Sequence, residues 1–372
     1  MIRAQVVFLP IGEKSCGDAI ALRFGDLDSK DPNKIWTVLI DGGYTGDWEK
    51  VYKLMKDNFK TGFIDLVVST HPDQDHINGL VGVLQNIPVG KLWMHQPWEH
   101  SGDYLVARKD GFTSKRMTEW LQKSLQGANN LAVAAEAAKV QVEEPFAGKQ
   151  LITPYGTLTV LSPSQEYYEE LLPQILDKSA AKVQASALTT GYESLLGILS
   201  RGVDKVKAKI EESHHIETLT DNGETTPANN SSTVLLFETS DGTKRWLFTG
   251  DAGIQGLENA HTEHTIRGGG AIHFMQVPHH GSKQNVGPSI LDKWLGMRTL
   301  QPGEKRGTAY VSAGENCEKD GHPKKIALNA FTRRGYEVFE TRGGGIKFGH
   351  ALDGFTGTIY PLPLYEEIDD DE

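Results

Sequence analysis

Residues 64–80 read IDLVVSTHPDQDHINGL. A run of aliphatic, β-branched residues ends in six positions, His71 to His76, that hold two histidines and two aspartates. A strand that runs straight into a loop crowded with ligating side chains constrains the fold strongly, because rigid strands presenting functional loops need a packed sheet behind them. A polar turn with an aspartate capping the next helix accounts for one such residue, not for four.

The pattern recurs. The strand-like RWLFTGD ends at Asp251, and AIHFMQVPHHGS ends at His279 and His280. A fourth group, Asn229 and Asn230, precedes its strand instead. No cysteine takes part, which argues against a structural zinc cage, and histidine with carboxylate suits Zn, Mn or Fe. In His71-x-Asp73-x-Asp75-His76 alternate positions can face one metal and the adjacent pair a second. Two ions roughly 3.5–4 Å apart form the standard dinuclear hydrolytic arrangement. Asp251 can bridge them.

Between these motifs the chain alternates strand and helix patterns, an α/β arrangement. AQVVFLP, AIALRFG and KIWTVLIDGG read as strands, and TGDWEKVYKLMKDNF has helical apolar spacing. INGLVGVLQNI, TSKRMTEWLQKSLQG and NNLAVAAEAAKV follow as helices, and KQLITPYGTLTVLSPS as a hairpin. Residues 164–226 change character. QEYYEELLPQILDKSAAKVQ and YESLLGILSRGVDKVKAKIEES read as two amphipathic helices of an insertion, a lid, a partner surface or a cover for the sheet. STVLLFETSDGTKRWLFTGD is a β-hairpin about an Asp-Gly turn. One large domain over 1–363 is expected, followed by an acidic, disordered tail over 364–372.

Six of the last seven residues are acidic, more than half of the net charge of −11. No basic stripe announces nucleic acid, although metals can neutralise phosphate locally. Neither a signal peptide nor a membrane span is expected. Cys16 and Cys317 are expected as two free thiols, which points to the cytoplasm.

The ordered set SCGDAI (15–20), THPDQDHINGL (70–80), NNSSTV (229–234), LFTGD (247–251), PHHGSKQ (278–284), GHP (321–323) and TRGGGIKF (341–348) resembles the metallo-β-lactamase superfamily. It is most similar to the hydrolase domain of bacterial competence DNA-uptake channel proteins and its free-standing relatives. The resemblance implies an αββα sandwich with the metals at one edge. It implies two divalent ions, Zn2+ or Mn2+, with His71 and Asp73 on one, Asp75 and His76 on the other, and Asp251 between them. His279 completes the set, with His280 beside it. Asn229 stands where the superfamily usually has a histidine, and Asp73 where it has another. These replacements make the first set oxygen-richer.

The implied reaction is metal-dependent hydrolysis by an activated hydroxide, with Asp75 orienting or deprotonating the water. His280, Lys283 and His322 are the candidates for stabilising the oxyanion or leaving group. A phosphodiesterase or nuclease acting on a nucleic acid or nucleotide is the leading expectation. The alternatives are a hydrolase of a small ester, lactone or amide, and a non-catalytic binding module with a degenerate metal site.

Overall fold

The structure, a computed structural model, describes residues 3–11, 15–100, 125–188, 209–314, 316–342, 344–350 and 360–369. Two seven-stranded sheets form its centre. The first takes β1 (Arg3–Phe8), β2 (Ile20–Gly25), β3 (Ile35–Ile40), β4 (Ile64–Val68), β5 (Val89–Trp93), β6 (Gln141–Glu143) and, at its other edge, β15 (Ile346–His350). The second takes β7 (Gln150–Ile152), β8 (Gly156–Ser162), β10 (Val234–Thr239), β11 (Arg245–Phe248), β12 (Phe274–Gln276), β13 (Gly307–Val311) and β14 (Tyr336–Glu340). From β3 to β6 and from β11 to β14 the neighbours run parallel; the remaining pairs in these sheets are antiparallel.

Both faces of each sheet are covered, which is why these strands are apolar on both sides. Along β1, Ala4, Val6 and Phe8 point to the layer between the sheets, while Val7 points out to the helices. The inner layer is aromatic: Phe24 packs on Phe237, and Phe274 on Phe8, Tyr310 and Phe348. Outside the first sheet lie α1 (Trp48–Lys53), α2 (Gln74–Asn86), α3 (Gln126–Ala137) and the buried start of α4 (Gln165–Leu188). Helix α5 (Pro227–Asn230) is a single short turn before β10. Outside the second sheet lie α6 (Ile254–Ile266), α7 (Pro288–Leu295) and α8 (Lys325–Arg333). This is the expected helix–sheet–sheet–helix sandwich. Among the described residues no helix is long and apolar enough to cross a membrane.

Three expectations change, and one open alternative is decided. Cys16 and Cys317 are not free thiols but a disulfide, with Cα atoms 4.8 Å apart. Their separation of 301 residues hid a contact that only the fold creates, and the ground for a reducing compartment goes with it. In the insertion, α4 turns Tyr168, Leu171, Leu172, Ile175 and Leu176 onto the first sheet's helical layer, so this part acts as cover. The expected second helix of the insertion falls largely outside the described residues, and its end, Lys209–Glu211, is strand β9. The helix expected over TSKRMTEWLQKSLQG also lies largely outside them.

Strand β9 pairs antiparallel with β16 (Glu367–Asp369), inside the segment expected to be a disordered tail. The one apolar residue of that acidic run explains the order: Ile368 is buried in the core beneath α8. Asn329 of α8 clamps the approach, donating to the Tyr365 carbonyl and accepting from its N–H, both at 2.8 Å. Residues 370–372 lie outside the described part.

Candidate metal centre

The carboxyl ends of parallel strands converge at one edge of the sandwich, where open α/β sheets present ligand sites. Asp41 follows β3, His71 follows β4, Asp251 follows β11, His279 and His280 follow β12, and Ser312 follows β13. Asp73 occupies the cap position of α2, yet its side chain makes no capping bond. It turns to His71 instead, at 3.7 Å from Nε2. A helical turn further, His76 is buried on the face of α2 that carries Ile77, Leu80 and Val83 into the core.

Three imidazoles are held in the same tautomer. His76 Nδ1–H donates to Asp41 (2.8 Å). His71 Nδ1–H donates to the Thr70 hydroxyl (3.0 Å), which itself donates to Asp41 (2.6 Å). His280 Nδ1–H donates to the Ser312 carbonyl (3.0 Å). With Nδ1 engaged, each Nε2 faces the centre and is the nitrogen at which a cation would replace a proton. The Nε2 atoms of His71, His76 and His280 and the Oδ1 atom of Asp251 are buried without a hydrogen-bond partner. Buried polar atoms are rarely orphaned, and imidazoles anchored at one nitrogen are the usual metal ligands. The donor set fits divalent metal ions.

The geometry divides the donors into two overlapping groups. Asp251 Oδ1 lies 3.4 Å from His76 Nε2, while its Oδ2 lies 3.6 Å from His71 Nε2 and 3.5 Å from His279 Nε2. Asp75 Oδ2 lies 3.6 Å from His76 and 3.4 Å from His280. His71, His76 and Asp251 can converge on one ion, as can Asp75, His76 and His280. Thus His280, not His279, stands with Asp75 and His76. Two consecutive left-handed residues turn the neighbours apart, with φ of 47° at His279 and 53° at His280. His279 joins the His71 side, its Nδ1–H donating to Asn285 (2.9 Å).

Asn229, expected among the ligands, is engaged elsewhere. Its oxygen accepts from Thr226 (2.7 Å), and its amide faces the His279 ring at 3.2 Å. His322 is the next ring out, 5.4 Å from that of His279, and its Nδ1 is buried without a partner. Lys283 lies two residues past the His279–Gly281 turn, partly exposed.

Charge holds the centre together. Burial pushes the Asp251 carboxyl up, but the attraction of His279, His76 and His280 outweighs it and keeps the group well below its ordinary range. Burial likewise opposes ionisation of Asp75, and His76 and His280 bring it down to about 2. Against its own burial, His280 is lifted to about 9 by Asp251 and Asp75. Protons here occupy positions that cations would take, so metal binding releases them.

Several residues of the site were not singled out from sequence. Asp41 holds both His76 and Thr70, whose N–H it also accepts (2.8 Å). Its signal was available: an acid ending the apolar run IWTVLI, the same pattern that marks Asp251. Asp18, buried, accepts from Gln276 (2.7 Å), and Gln276 caps the Thr249 and Gly250 N–H groups. Gly17 beside it must lack a side chain, since a Cβ would lie 2.8 Å from the Asp75 carbonyl. Asn285 donates to the Asp251 carbonyl (2.7 Å). Nothing in the local pattern marks Asn285 or Ser312. His95 stacks on Tyr168 with Phe146 tilted against it, and His100 pairs with Glu144 and Glu169.

A sequence profile described as Lactamase_B, Metallo-beta-lactamase superfamily, matches residues 37–295. No curated protein matches the chain. Among solved structures the chain is similar to CmlA, a diiron beta-hydroxylase from Streptomyces venezuelae (TM-score 0.40, 11% identity, 92% of this chain and 54% of that one). It thus spans about half of that protein. It is also similar to a diphosphatase from the PhnP family (TM-score 0.39, 11% identity, 95% and 100%) and to a long form RNase Z from yeast (TM-score 0.38, 9% identity, 84% and 37%). The matched profile covers most of the chain and includes strands of both sheets, and the chain belongs to the metallo-β-lactamase superfamily.

Proposed function

We propose that the chain is a metal-dependent phosphodiesterase that cleaves nucleic-acid or nucleotide diesters. The observation that carries this reading is Asp251, whose two oxygens face two different ligand groups, His76 at 3.4 Å and His71 at 3.6 Å. In this reading His71, Asp73 and His279 hold one ion, Asp75, His76 and His280 hold the other, and Asp251 is shared. When bound, Zn2+ or Mn2+ supplies Lewis acidity and brings the ionisation of water close to neutrality.

The protein's own groups do the rest. Asp75, ionised at any physiological pH, is positioned to accept a proton or hydrogen bond from the attacking water. His322, which burial and the charges of His279 and His280 bring down to about 4, is neutral and can donate a hydrogen bond to the departing oxygen. Lys283 offers a point charge to the phosphoryl group. Asp73 stands where an imidazole is usual in the superfamily, and the harder, oxygen-richer first group suits Mn2+ better than a three-histidine set does.

A second reading is hydrolysis of a small ester, lactone or amide, for which the apolar side chains of Met94, Leu125, Ala128 and Ile175 beside His71 offer a contact surface. Metal analysis of the purified protein separates these readings when combined with hydrolysis of bis(p-nitrophenyl) phosphate and p-nitrophenyl acetate. The expected result is two ions per chain and cleavage of the diester in preference to the acetate. Asp75→Ala is expected to lower that activity by roughly 10²–10⁴-fold. Absence of bound metal together with an unaffected Asp75→Ala variant overturns both readings.

A further inference from the structure

Two carboxylates of the centre reach it from opposite sheets. Asp75 comes from α2, which packs outside the first sheet, and Asp251 from the end of β11 in the second. We propose that the buried pair Asp18 and Gln276 is a strut between the sheets. It sets these two carboxylates relative to one another and so keeps Asp251 shared between two ions. Both are positioning residues, and the proposal rests on the dinuclear centre of the reading above.

On the first-sheet side the Asp18 main chain is built into the block that carries the ligands. Its N–H donates to the Asp75 carbonyl at 3.2 Å, and its carbonyl accepts from the Gly43 N–H at 2.8 Å. The Gly42–Gly43 turn joins α2 twice more. The Gly42 N–H donates to the His76 carbonyl (2.7 Å), and the Gly43 carbonyl accepts from the Gly79 N–H (2.9 Å). A shift of Asp18 therefore carries Asp75 and His76 with it.

On the second-sheet side Gln276, the last residue of β12, holds the turn that presents Asp251. Its side-chain oxygen accepts from the N–H groups of Thr249 (2.9 Å) and Gly250 (3.1 Å), the two residues before that ligand. The Gly250 carbonyl in turn accepts from the His279 N–H (3.2 Å). Gln276 Nε2 donates to Asp18 Oδ2 at 2.7 Å and closes the strut. Both residues are only 1% exposed, so bulk water cannot stand in for a lost partner. The demand on this turn is high. Asp251 has one oxygen 3.4 Å from His76 and the other 3.6 Å from His71, and a small displacement would turn both toward one group. Ligands keep such a geometry when buried hydrogen bonds behind them hold it.

The test follows Mn2+ bound to the full chain. Two Mn2+ ions bridged by a carboxylate are magnetically coupled, and their electron paramagnetic resonance spectrum differs from that of isolated ions. At saturating Mn2+ the wild type should show the coupled pair. Gln276→Met keeps the Asp18 carboxyl and removes only the link. It should lose the coupled signal and bind Mn2+ about 10–100-fold more weakly in competition with a chelating dye. Asp18→Leu should do the same. The two substitutions together should weaken binding no further than the poorer single one, as for residues that act as a unit. The exchanged pair Asp18→Asn/Gln276→Glu lets an amide donate to a carboxylate across the same gap. It should recover the coupled signal and most of the affinity. Melting of the metal-free variants checks their fold, and Asp18→Ser, too short to reach Gln276, replaces Asp18→Leu if that variant does not fold.

Wild-type affinity and a coupled signal in Gln276→Met overturn the proposal, as do losses that multiply in the double variant. An exchanged pair no better than Asp18→Leu also overturns it, since the loss then belongs to the packing around Asp18 and not to the link. A wild type with fewer than two ions, or with two uncoupled ions, overturns the shared centre and the strut with it. If the wild type shows the coupled pair, the variants behave as expected and bis(p-nitrophenyl) phosphate is not cleaved, the strut stands and the assigned activity falls.

Discussion

At the scale of single residues, Asp41 shows how the site is built. It touches no substrate position, yet its carboxylate fixes the His76 ring and the Thr70 hydroxyl on which the His71 ring rests. Asp41→Asn keeps the volume but replaces one acceptor oxygen with a donor that faces His76 Nδ1–H. Metal affinity, measured by competition with a chelating dye, is expected to fall about 10–100-fold, and the facing donors should also cost the metal-free protein about 1–3 kcal/mol, read in its urea unfolding. The ligating residues themselves were legible because they are contiguous in sequence and follow apolar runs. The division of labour between His279 and His280 was not, because it is decided by two left-handed φ angles that no composition reports. Asn229 was assigned by its place in a motif, and its hydrogen bond to Thr226 turns its oxygen away from that role.

Elements carry a different kind of consequence. The strand, helix and hairpin patterns around the sheets could be read from period and turn chemistry, since each apolar face has one partner layer. The segment after α4 could not, because β9 is ordered by a strand far away in sequence, β16. What anchors this region is Glu212, fully buried, which accepts from Thr218, Asn329 and Arg333. Burial raises the Glu212 carboxyl, but these bonds outweigh it and hold it below its ordinary range. A depressed carboxylate stabilises the fold above its ordinary pKa and loses that contribution as pH falls toward the folded value. Glu212→Ala, which leaves Arg333 charged and buried, is expected to cost about 3–5 kcal/mol by urea unfolding.

His95 works in the same direction on another element. Burial, and then the charge on His100, bring it down to about 3, so the unfolded chain takes up the proton first. Its contribution is intact above the ordinary histidine pKa and is lost as pH falls from there toward 3, up to roughly 4 kcal/mol. His95→Phe, which keeps the stack on Tyr168 and the contact with Phe146, should flatten that part of the stability–pH curve while leaving stability at neutral pH within about 1–2 kcal/mol.

For the molecule as a whole, the fold class was accessible from the ordered motifs, which pin both sheets to one edge. The disulfide was not, because sequence distance says nothing about which loops the sandwich brings together. Cys16 and Cys317 border the centre from opposite sheets. The Asp18 N–H donates to the Asp75 carbonyl on one side, and the His322 N–H donates to the Cys317 carbonyl on the other. Reduction, or Cys317→Ser, is expected to lower stability by about 2–5 kcal/mol, read as a shift in urea midpoint with and without reductant.

The pairing of β1 with β15, which sets Val6 opposite Phe348, has a consequence for how the chain comes to be folded. β1 leaves the ribosome long before β15 and cannot find that edge partner until the segments between them have been made. Through most of synthesis β1 and β2 offer an unprotected hydrogen-bonding rim and one side of the aromatic inter-sheet layer. Closure between such distant segments is slow, and the exposed rim invites pairing with other nascent chains. Yield of active protein should therefore depend on synthesis rate and temperature more than the stability of the finished molecule would suggest.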